Sequence, residues 1–358
     1  MTERMPEKLS VPELAALIES VKRFKADHGL SHAQIGRRIG YSRSVVASFL
    51  AGRYDGDLEK LAGKLVWMMN SEARKQRRDK GEAFVSTTVA RRIGTLIVQT
   101  EAFSDAEGRI GVIIGDGGHG KSHCLRQYAE ADKNAVYIAY DDCMTMTRLF
   151  AEIARAVRLP SAGSLAAVTA RLVKGLRDRR VIVLIDEASS LRVRDLNRLR
   201  QVLVIKARCP VILAGNADLL KTLQDPGYRD GHASLDQFNS RLMSILNLDE
   251  VAGDDDGGLY TAEDIRALYE YGGIVLKSDA VETFRRICKT PRTGRLRTCG
   301  HICSALHMSP AIAERGYIDG PAILSAVDQL ALPIRDWLPM AYRQVRQQEE
   351  REAAAWAG

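Results

Sequence analysis

The segment that most constrains the fold of this chain is Gly-Asp-Gly-Gly-His-Gly-Lys-Ser at positions 115–122. It fits the pattern G-x-x-x-x-G-K-[ST], it follows an apolar stretch typical of a strand, and a helical pattern begins near Lys121. In this setting the glycines allow a tight turn whose backbone N–H groups point at phosphate oxygens, and the helix N-terminus adds a favourable dipole. The sequence therefore predicts a phosphate-binding loop between a strand and a helix.

Every residue of this loop is a candidate contact for ATP. We expect the Lys121 ammonium to reach the β- and γ-phosphates and the Ser122 hydroxyl to help hold Mg²⁺. We expect His119, which precedes the last glycine, to be incidental rather than catalytic. The candidate nucleotide-binding residues of the loop are Gly115, Asp116, Gly117, Gly118, His119, Gly120, Lys121 and Ser122.

Polar side chains also follow two further apolar stretches. Residues 181–185 are apolar and are followed by Asp186 and Glu187, and residues 211–215 are followed by Asn216. Ligands of open α/β sheets bind at the carboxyl ends of the strands. We therefore expect Asp186 to help hold Mg²⁺ through water, and Glu187 to polarise the attacking water. Asn216 could position that water or the γ-phosphate, or it could be a turn residue, because Gly-Asn is common in turns.

Apolar stretches alternate with helical patterns from about residue 84 to 250, which predicts a parallel sheet flanked by helices. The strand candidates are residues 111–114, 135–140, 181–185, 211–214 and 245–248. After a turn-rich break at 254–258, residues 261–332 show helical periodicity alone. The predicted organisation is a helical N-terminal domain (1–70), a basic connector (71–84), an α/β subdomain (85–252), a helical subdomain (261–332) and a charged tail (333–358).

The phosphate-binding loop, the Asp-Glu pair and Asn216 together resemble the AAA+ superfamily over about residues 85–332. The resemblance implies an α/β AAA+ P-loop ATPase, with a parallel sheet flanked by helices and a C-terminal helical subdomain. It also implies that Arg241 is an arginine finger, which reaches the γ-phosphate bound by a neighbouring subunit. The sensor-2 motif of the family is matched by residues 294–297, and there Arg297 is implied to contact the nucleotide of its own subunit. Either arginine could instead be a solvated surface charge.

Positive charge is concentrated at the N-terminal end of the chain. Residues 1–80 hold 16 Lys or Arg and 10 Asp or Glu, a net charge of +6, whereas the whole chain has a net charge of +7. A segment of this kind favours a polyanion as partner.

The same segment predicts an all-α domain of short helices, the first over residues 10–27. Two further helices are separated by Gly40, which allows a sharp turn, and Ser42 is placed to cap the later one. The pattern is similar to phage-repressor helix-turn-helix domains, in which the second helix enters the major groove. The alternative is a small helical domain that docks another protein. The candidate DNA-contacting residues are Arg43, Ser44 and Ser48.

Three short stretches resemble a single family whose members contain both a helix-turn-helix domain and an AAA+ module. Residues 47–57 resemble the segment after its recognition helix, residues 84–89 its entry into the ATPase, and residues 294–297 its C-terminal subdomain. The family is that of the phage Mu transposition B proteins, and the resemblance covers about residues 10–332. It implies a protein that binds duplex DNA with ATP and without sequence specificity, and that polymerises there as a helical filament or ring. It also implies that the protein selects the transposition target and stimulates a DDE transposase.

A filament on DNA needs phosphate contacts rather than base readout. In the AAA+ module we expect such contacts near the strand ends, from Thr145, Thr147, Arg148, Arg179 and Lys206, although any one of these could be a solvated helix end. Two other functions stay open. One is an AAA+ replication initiator or helicase loader, for which we would expect the helix-turn-helix after the ATPase. The other is an ATP-regulated transcription factor.

The sequence favours the cytoplasm, which is the host cytoplasm if the protein is phage-encoded, and no membrane partner. The first ten residues are polar and charged, unlike a signal peptide. No apolar run reaches the ~20 residues that span a bilayer. The six cysteines are scattered and do not suggest a disulfide framework.

Overall fold

The computed structural model describes residues 11–79, 84–104, 108–177, 179–225, 234–253, 258–271 and 273–343. The chain divides into two compact units, Met1–Phe84 and Val85–Gly358.

In the described part of the N-terminal unit, residues 11–79 and 84, four helices surround a small apolar core. Ser31 and Ser42 each cap a helix by accepting a backbone N–H, from Gln34 and Val45 respectively. The core includes Ile35, Val46 and Phe49. The predicted start of the first helix, at residue 10, lies outside the described residues. The helices are α1 (Val11–Asp27), α2 (His32–Ile39), α3 (Arg43–Leu50) and α4 (Leu58–Asp79).

Helix α4 continues through most of the stretch predicted as a basic connector. The sequence from residue 72 to 79 is rich in Glu, Ala, Lys, Gln and Arg, which are good helix formers, and contains no glycine or proline. A high density of charge therefore does not end this helix.

The second unit is built on a five-stranded parallel sheet, as predicted, with strand order β2-β3-β4-β1-β5. The central strand β1 lies between β4 and β5, so that Val112 pairs with Leu213 on one side and Ile245 on the other. Each strand is short, and the residues of β1, β3 and β4 are all buried. The strands are β1 (Ile110–Ile114), β2 (Ala135–Ala139), β3 (Ile182–Asp186), β4 (Val211–Gly215) and β5 (Leu242–Asn247).

Helices cover both faces of the sheet. Alternate residues of β3 face opposite sides: Ile182 and Leu184 belong to one apolar core, and Val183 and Ile185 to the other. The helices of this part are α5 (Thr88–Ala102), α6 (Lys121–Ala131), α7 (Met146–Ala156), α8 (Leu165–Leu176), α9 (Val193–Leu199), α10 (Ala217–Gln224), α11 (Asp236–Asn239) and α12 (Leu248–Gly253). A 3₁₀ turn, Ala188–Ser190, follows β3, and a π-helix, Arg200–Lys206, continues α9.

The remaining elements are mainly helical, and their buried residues are continuous with one of the sheet's apolar cores. The prediction of helical structure alone over 261–332 is wrong in one detail, because two short strands pair in parallel there. Two-residue strands are too short to leave an alternating pattern in the sequence. The elements are α13 (Ala262–Tyr269), β6 (Val275–Leu276), α14 (Ser278–Lys289), α15 (Arg295–Leu306), α16 (Pro310–Arg315), β7 (Tyr317–Ile318) and α17 (Gly320–Gln329).

The first residues of the predicted tail belong to this helical core. Ile334, Leu338 and Ala341 are buried, and the Arg286 guanidinium donates a 2.9 Å hydrogen bond to the carbonyl of Ala341. The predicted boundary at residue 332 is therefore too early, because charged neighbours mask a few apolar side chains that pack inward. Within the described ranges, no helix is both long enough and apolar enough to cross a bilayer.

Candidate nucleotide-binding site

The predicted phosphate-binding loop connects the carboxyl end of β1 to the first turn of α6, which begins at Lys121. Gly118 and Gly120 have φ angles of +99° and +90°, a conformation that side-chain-bearing residues rarely adopt. The Lys121 ammonium lies over the loop and donates to the carbonyls of Gly115 (2.5 Å) and Asp116 (3.0 Å). The loop therefore has the backbone geometry and the cation that phosphate binding requires.

The charges of the two predicted carboxylates act on Lys121. Burial lowers the pKa of Lys121, and the negative charges of Asp186 and Glu187 oppose that shift. A partly desolvated ammonium facing carboxylates at the carboxyl edge of the sheet is suited to a polyphosphate with its bound cation.

Asp186 and Glu187 have different environments. Asp186 is buried, and its carboxylate accepts hydrogen bonds from the Tyr137 hydroxyl (2.9 Å) and from the Glu187 backbone N–H (3.0 Å). Glu187 is exposed and has a φ of +55° at the turn after β3. Tyr137, on the neighbouring strand β2, was missed in the sequence, because an apolar strand pattern does not show which hydroxyl reaches the strand's end.

Asn216 is exposed at the carboxyl end of β4 and caps helix α10. Its side-chain oxygen accepts the Asp218 N–H at 2.8 Å, and its own backbone N–H donates to Ser189 after β3. The amide oxygen of Asn216 thus caps helix α10. The amide NH₂ group is the part of the side chain that could orient water or phosphate.

His119 is fully buried and links the loop to two distant residues. One ring nitrogen, Nε2, lies 2.8 Å from an Asp249 carboxylate oxygen, and the other, Nδ1, lies 2.6 Å from the Tyr260 hydroxyl. Asp249 also accepts the Asp116 backbone N–H (2.9 Å) and the Arg295 guanidinium (2.6 Å). These residues are far apart in the chain, so no local motif signals the contact.

The predicted sensor-2 segment packs directly against the phosphate-binding loop. A side chain at Gly118 would overlap the carbonyl of Gly294, and a side-chain carbon at Gly117 would lie 3.9 Å from an Arg297 guanidinium nitrogen. Arg297 is exposed, whereas Arg295 is buried. Arg297 is therefore next to the loop and accessible, as a contact to bound nucleotide requires.

Arg241 lies at the opposite edge of the sheet. It immediately precedes β5, and its carbonyl accepts a 3.0 Å hydrogen bond from the N–H of Ile110, the first residue of β1. The loop begins after the last residue of β1, which puts the Arg241 backbone about 15 Å from it at ~3.3 Å per strand residue.

The candidate DNA-contacting residues of the second unit fall at both edges of the sheet. Thr145, Thr147 and Arg148 follow β2 at the carboxyl edge, where Thr145 caps α7. Arg179 and Lys206 precede β3 and β4, at the amino edge. The structure therefore does not gather these five residues on one surface.

Each edge carries its own basic depression. Thr145 and Thr147 line a groove of about 460 Å³ whose charged lining residues are Arg192, Arg194, Arg198, Asp142 and Asp195. The Asp195 carboxylate lies 3.8 Å from Arg194 and 3.9 Å from Arg198. Arg179 lines a cavity of about 690 Å³ with Arg177, Arg180 and Arg208. In the N-terminal unit, Arg43 and Ser44 are exposed in the first turn of α3, while Ser48 is half-buried.

Several known proteins are similar to parts of this chain. Residues 105–223 match the AAA domain family. The chain is 23% identical to the Mu-like prophage FluMu DNA transposition protein B of Haemophilus influenzae, over 80% of this chain and 96% of that protein. It is 26% identical to the ATP-dependent target DNA activator B of Escherichia phage Mu, over 51% of this chain and 58% of that protein. Among solved structures, the RuvB Holliday junction branch migration motor of Thermotoga maritima aligns with 13% identity over 68% of each chain, at a TM-score of 0.39. The loop and the sequence match show that residues 105–223 are similar to the AAA domain family, and the chain resembles the transposition B proteins of a Mu-like prophage and of phage Mu.

Proposed function

We propose that this chain is an ATPase that binds duplex DNA with ATP, oligomerises on it, selects the transposition target and stimulates a DDE transposase. The observation that carries the proposal is the pairing of a P-loop site with similarity along 80% of the chain to a protein named for DNA transposition. Nucleotide use is further supported by the phage Mu relative, which is named an ATP-dependent target DNA activator.

The residues around the loop fit ATP with Mg²⁺. The loop offers backbone N–H groups and the Lys121 cation to phosphates, and Ser122 and Asp186 offer the oxygen ligands that Mg²⁺ prefers. Bound Mg²⁺ would supply charge neutralisation at the β- and γ-phosphates. Tyr137 would keep the Asp186 carboxylate oriented by hydrogen bonding.

The chemical step needs a polarised water, and Glu187 is proposed to supply that polarisation. Its carboxylate is exposed beyond the end of β3, and its negative charge opposes the downward shift in the pKa of Lys121. Asn216 follows the adjacent strand β4 and would orient the same water through its NH₂ group.

The position of Arg241 supports the proposed self-assembly. A residue at the amino edge of the sheet does not reach the loop of its own subunit at the carboxyl edge, but it can meet the loop of a second copy. If Arg241 completes the neighbour's site, ATP hydrolysis and assembly depend on each other.

DNA contact is proposed from the charge distribution. The N-terminal unit presents Arg43 at the start of α3, and the groove lined by Thr145 and Thr147 adds Arg192, Arg194 and Arg198. Arginine side chains around a groove are suited to phosphate oxygens.

The proposal is tested by measuring ATP turnover, DNA binding and strand transfer together. We expect ATP turnover to rise with duplex DNA of any sequence, sedimentation with DNA to require ATP, and strand transfer by a purified DDE transposase to increase. Binding confined to one operator would indicate a transcription factor instead. Loading of a replicative helicase without any effect on strand transfer would indicate a replication protein.

A further inference from the structure

Asp249 brings together parts of the second unit that are remote in sequence. It lies in the first turn of α12, directly after β5, and one carboxylate oxygen accepts both His119 and Arg295. Its other oxygen accepts the backbone N–H of Asp116. We call Asp249, His119, Tyr260 and Arg295 the Asp249 cluster. Asp249 contacts the phosphate-binding loop at Asp116 and at His119. Through Arg295 and Tyr260, the cluster connects the loop to the helical region that follows the sheet.

The proton positions in the cluster follow from its partners. Burial raises the pKa of Asp249, but the hydrogen bond from His119 and the charge of Arg295 outweigh it, and the net shift is downward. Burial lowers the pKa of His119. An ionised Asp249 can only accept, so His119 donates through Nε2 and accepts the Tyr260 O–H at Nδ1.

The cluster also fixes the segment that carries Arg297. Arg295 is 1% exposed, has a φ of +50°, and donates to the carbonyl of Cys288 (2.6 Å) as well as to Asp249. Arg297 lies two residues further on, beside the phosphate-binding loop. Displacing Arg295 from Asp249 would therefore move Arg297 relative to the loop.

We propose that His119 is a positioning residue that ties the phosphate-binding loop to Asp249 and thereby sets the distance between the loop and Arg297. ATP affinity then depends on the Asp249 cluster, because the His119 side chain is buried and hydrogen-bonded to Asp249 and Tyr260. This inference rests on the proposed nucleotide-binding function of the loop.

The first test measures the Kd for ATP with Mg²⁺, by competition with a fluorescent ATP analogue, on the full-length protein. His119→Leu fills the same space with an apolar side chain that forms neither hydrogen bond. We expect its Kd for ATP to rise about tenfold or more, because the charge-assisted hydrogen bond to Asp249 is lost. His119→Gln places an amide N–H₂ within reach of Asp249, and we expect it to restore the affinity to within about threefold of wild type. Tyr260→Phe removes one hydroxyl and should raise the Kd by about threefold.

A purely structural role for His119 makes a different prediction. In that case His119→Leu would lower the melting temperature without nucleotide, yet bind ATP as wild type does well below that temperature. Such a result would overturn the inference. If His119→Leu does not fold by circular dichroism, Tyr260→Phe and His119→Gln carry the test, and equal affinity of wild type and Tyr260→Phe overturns it.

A double-mutant cycle with Arg297→Ala tests the route of the effect. If His119 acts by positioning Arg297, the effect of His119→Leu on the Kd shrinks to less than about threefold in the Arg297→Ala background. Fully additive effects overturn the inference. Wild type and Lys121→Ala are measured in the same titrations, because absence of ATP binding by wild type contradicts the proposed function itself.

Discussion

The hydroxyl of Tyr137 donates a 2.9 Å hydrogen bond to the buried carboxylate of Asp186, from β2 to the end of the paired strand β3. Burial, together with the charge of Asp186, raises the pKa of Tyr137 to about 12, so the hydroxyl remains a donor at neutral pH. The next carboxylate, Glu187, is exposed. The two adjacent acidic residues therefore differ in environment: Asp186 is fixed by hydrogen bonds, and Glu187 is exposed to solvent.

Replacing Glu187 by Gln should slow hydrolysis and leave ATP binding intact. A residue that polarises the attacking water contributes about 10²- to 10⁴-fold to the rate, and Gln keeps the shape of the side chain. We expect longer-lived DNA-bound assemblies as a consequence. The measurement is single-turnover hydrolysis, with electron microscopy of the DNA complexes. A normal single-turnover rate would remove Glu187 from the catalytic role.

Replacing Lys121 by Ala should abolish ATP binding and, with it, stable DNA binding. A charged hydrogen bond donor contributes about 1.5–3 kcal/mol, and Lys121 is the cation folded over the loop. Lys133→Ala, at an exposed position just after α6, is the matched control and should bind ATP normally. Equilibrium titration with ATP compares the two. Wild-type affinity in Lys121→Ala would reject the assignment of the loop.

The sequence was sufficient for the sheet and the loop because both depend on local patterns. Five-residue apolar stretches predict buried parallel strands, and glycines before Lys121 predict the turn. The contacts of His119 with Asp249 and Tyr260 were not predictable, because they join positions more than a hundred residues apart. A buried histidine in a glycine-rich loop has no spacing rule that names its partners.

Replacing Leu338 by Ala should destabilise the second unit, although residue 338 was first assigned to the tail. Leu338 is fully buried in the helical core, and such a truncation costs about 2–5 kcal/mol. Met340→Ala is the matched control, because Met340 is 59% exposed. Urea unfolding of the two variants gives the comparison. Equal midpoints would show that residues 333–343 do not contribute to the fold.

The N-terminal unit should add DNA affinity without affecting nucleotide binding. We expect Arg43→Ala to weaken DNA binding and to reduce the slope of log K against log salt by about one, as for a lost phosphate contact. Arg43→Lys should keep most of the affinity if the contact is to phosphate, and should lose it if Arg43 reads a base edge. A protein lacking residues 1–84 should retain ATP binding and some ATP-dependent assembly on DNA, because the second unit is compact by itself. Loss of ATP binding in that protein would contradict this division of work.

Arg241 gives the sharpest test of assembly. Because it lies at the amino edge of the sheet, Arg241→Ala should leave ATP binding by the monomer intact while hydrolysis and assembly on DNA fail. Arginine fingers contribute about 10³- to 10⁵-fold to the hydrolysis rate.

Mixing Arg241→Ala with Lys121→Ala should restore turnover at interfaces where an intact finger meets an intact loop, which neither variant achieves alone. For wild type, specific activity should rise with protein concentration and with added DNA. Turnover that is independent of both, together with normal hydrolysis by Arg241→Ala, would mean that the site works within one subunit and that the oligomer plays no part in the chemistry.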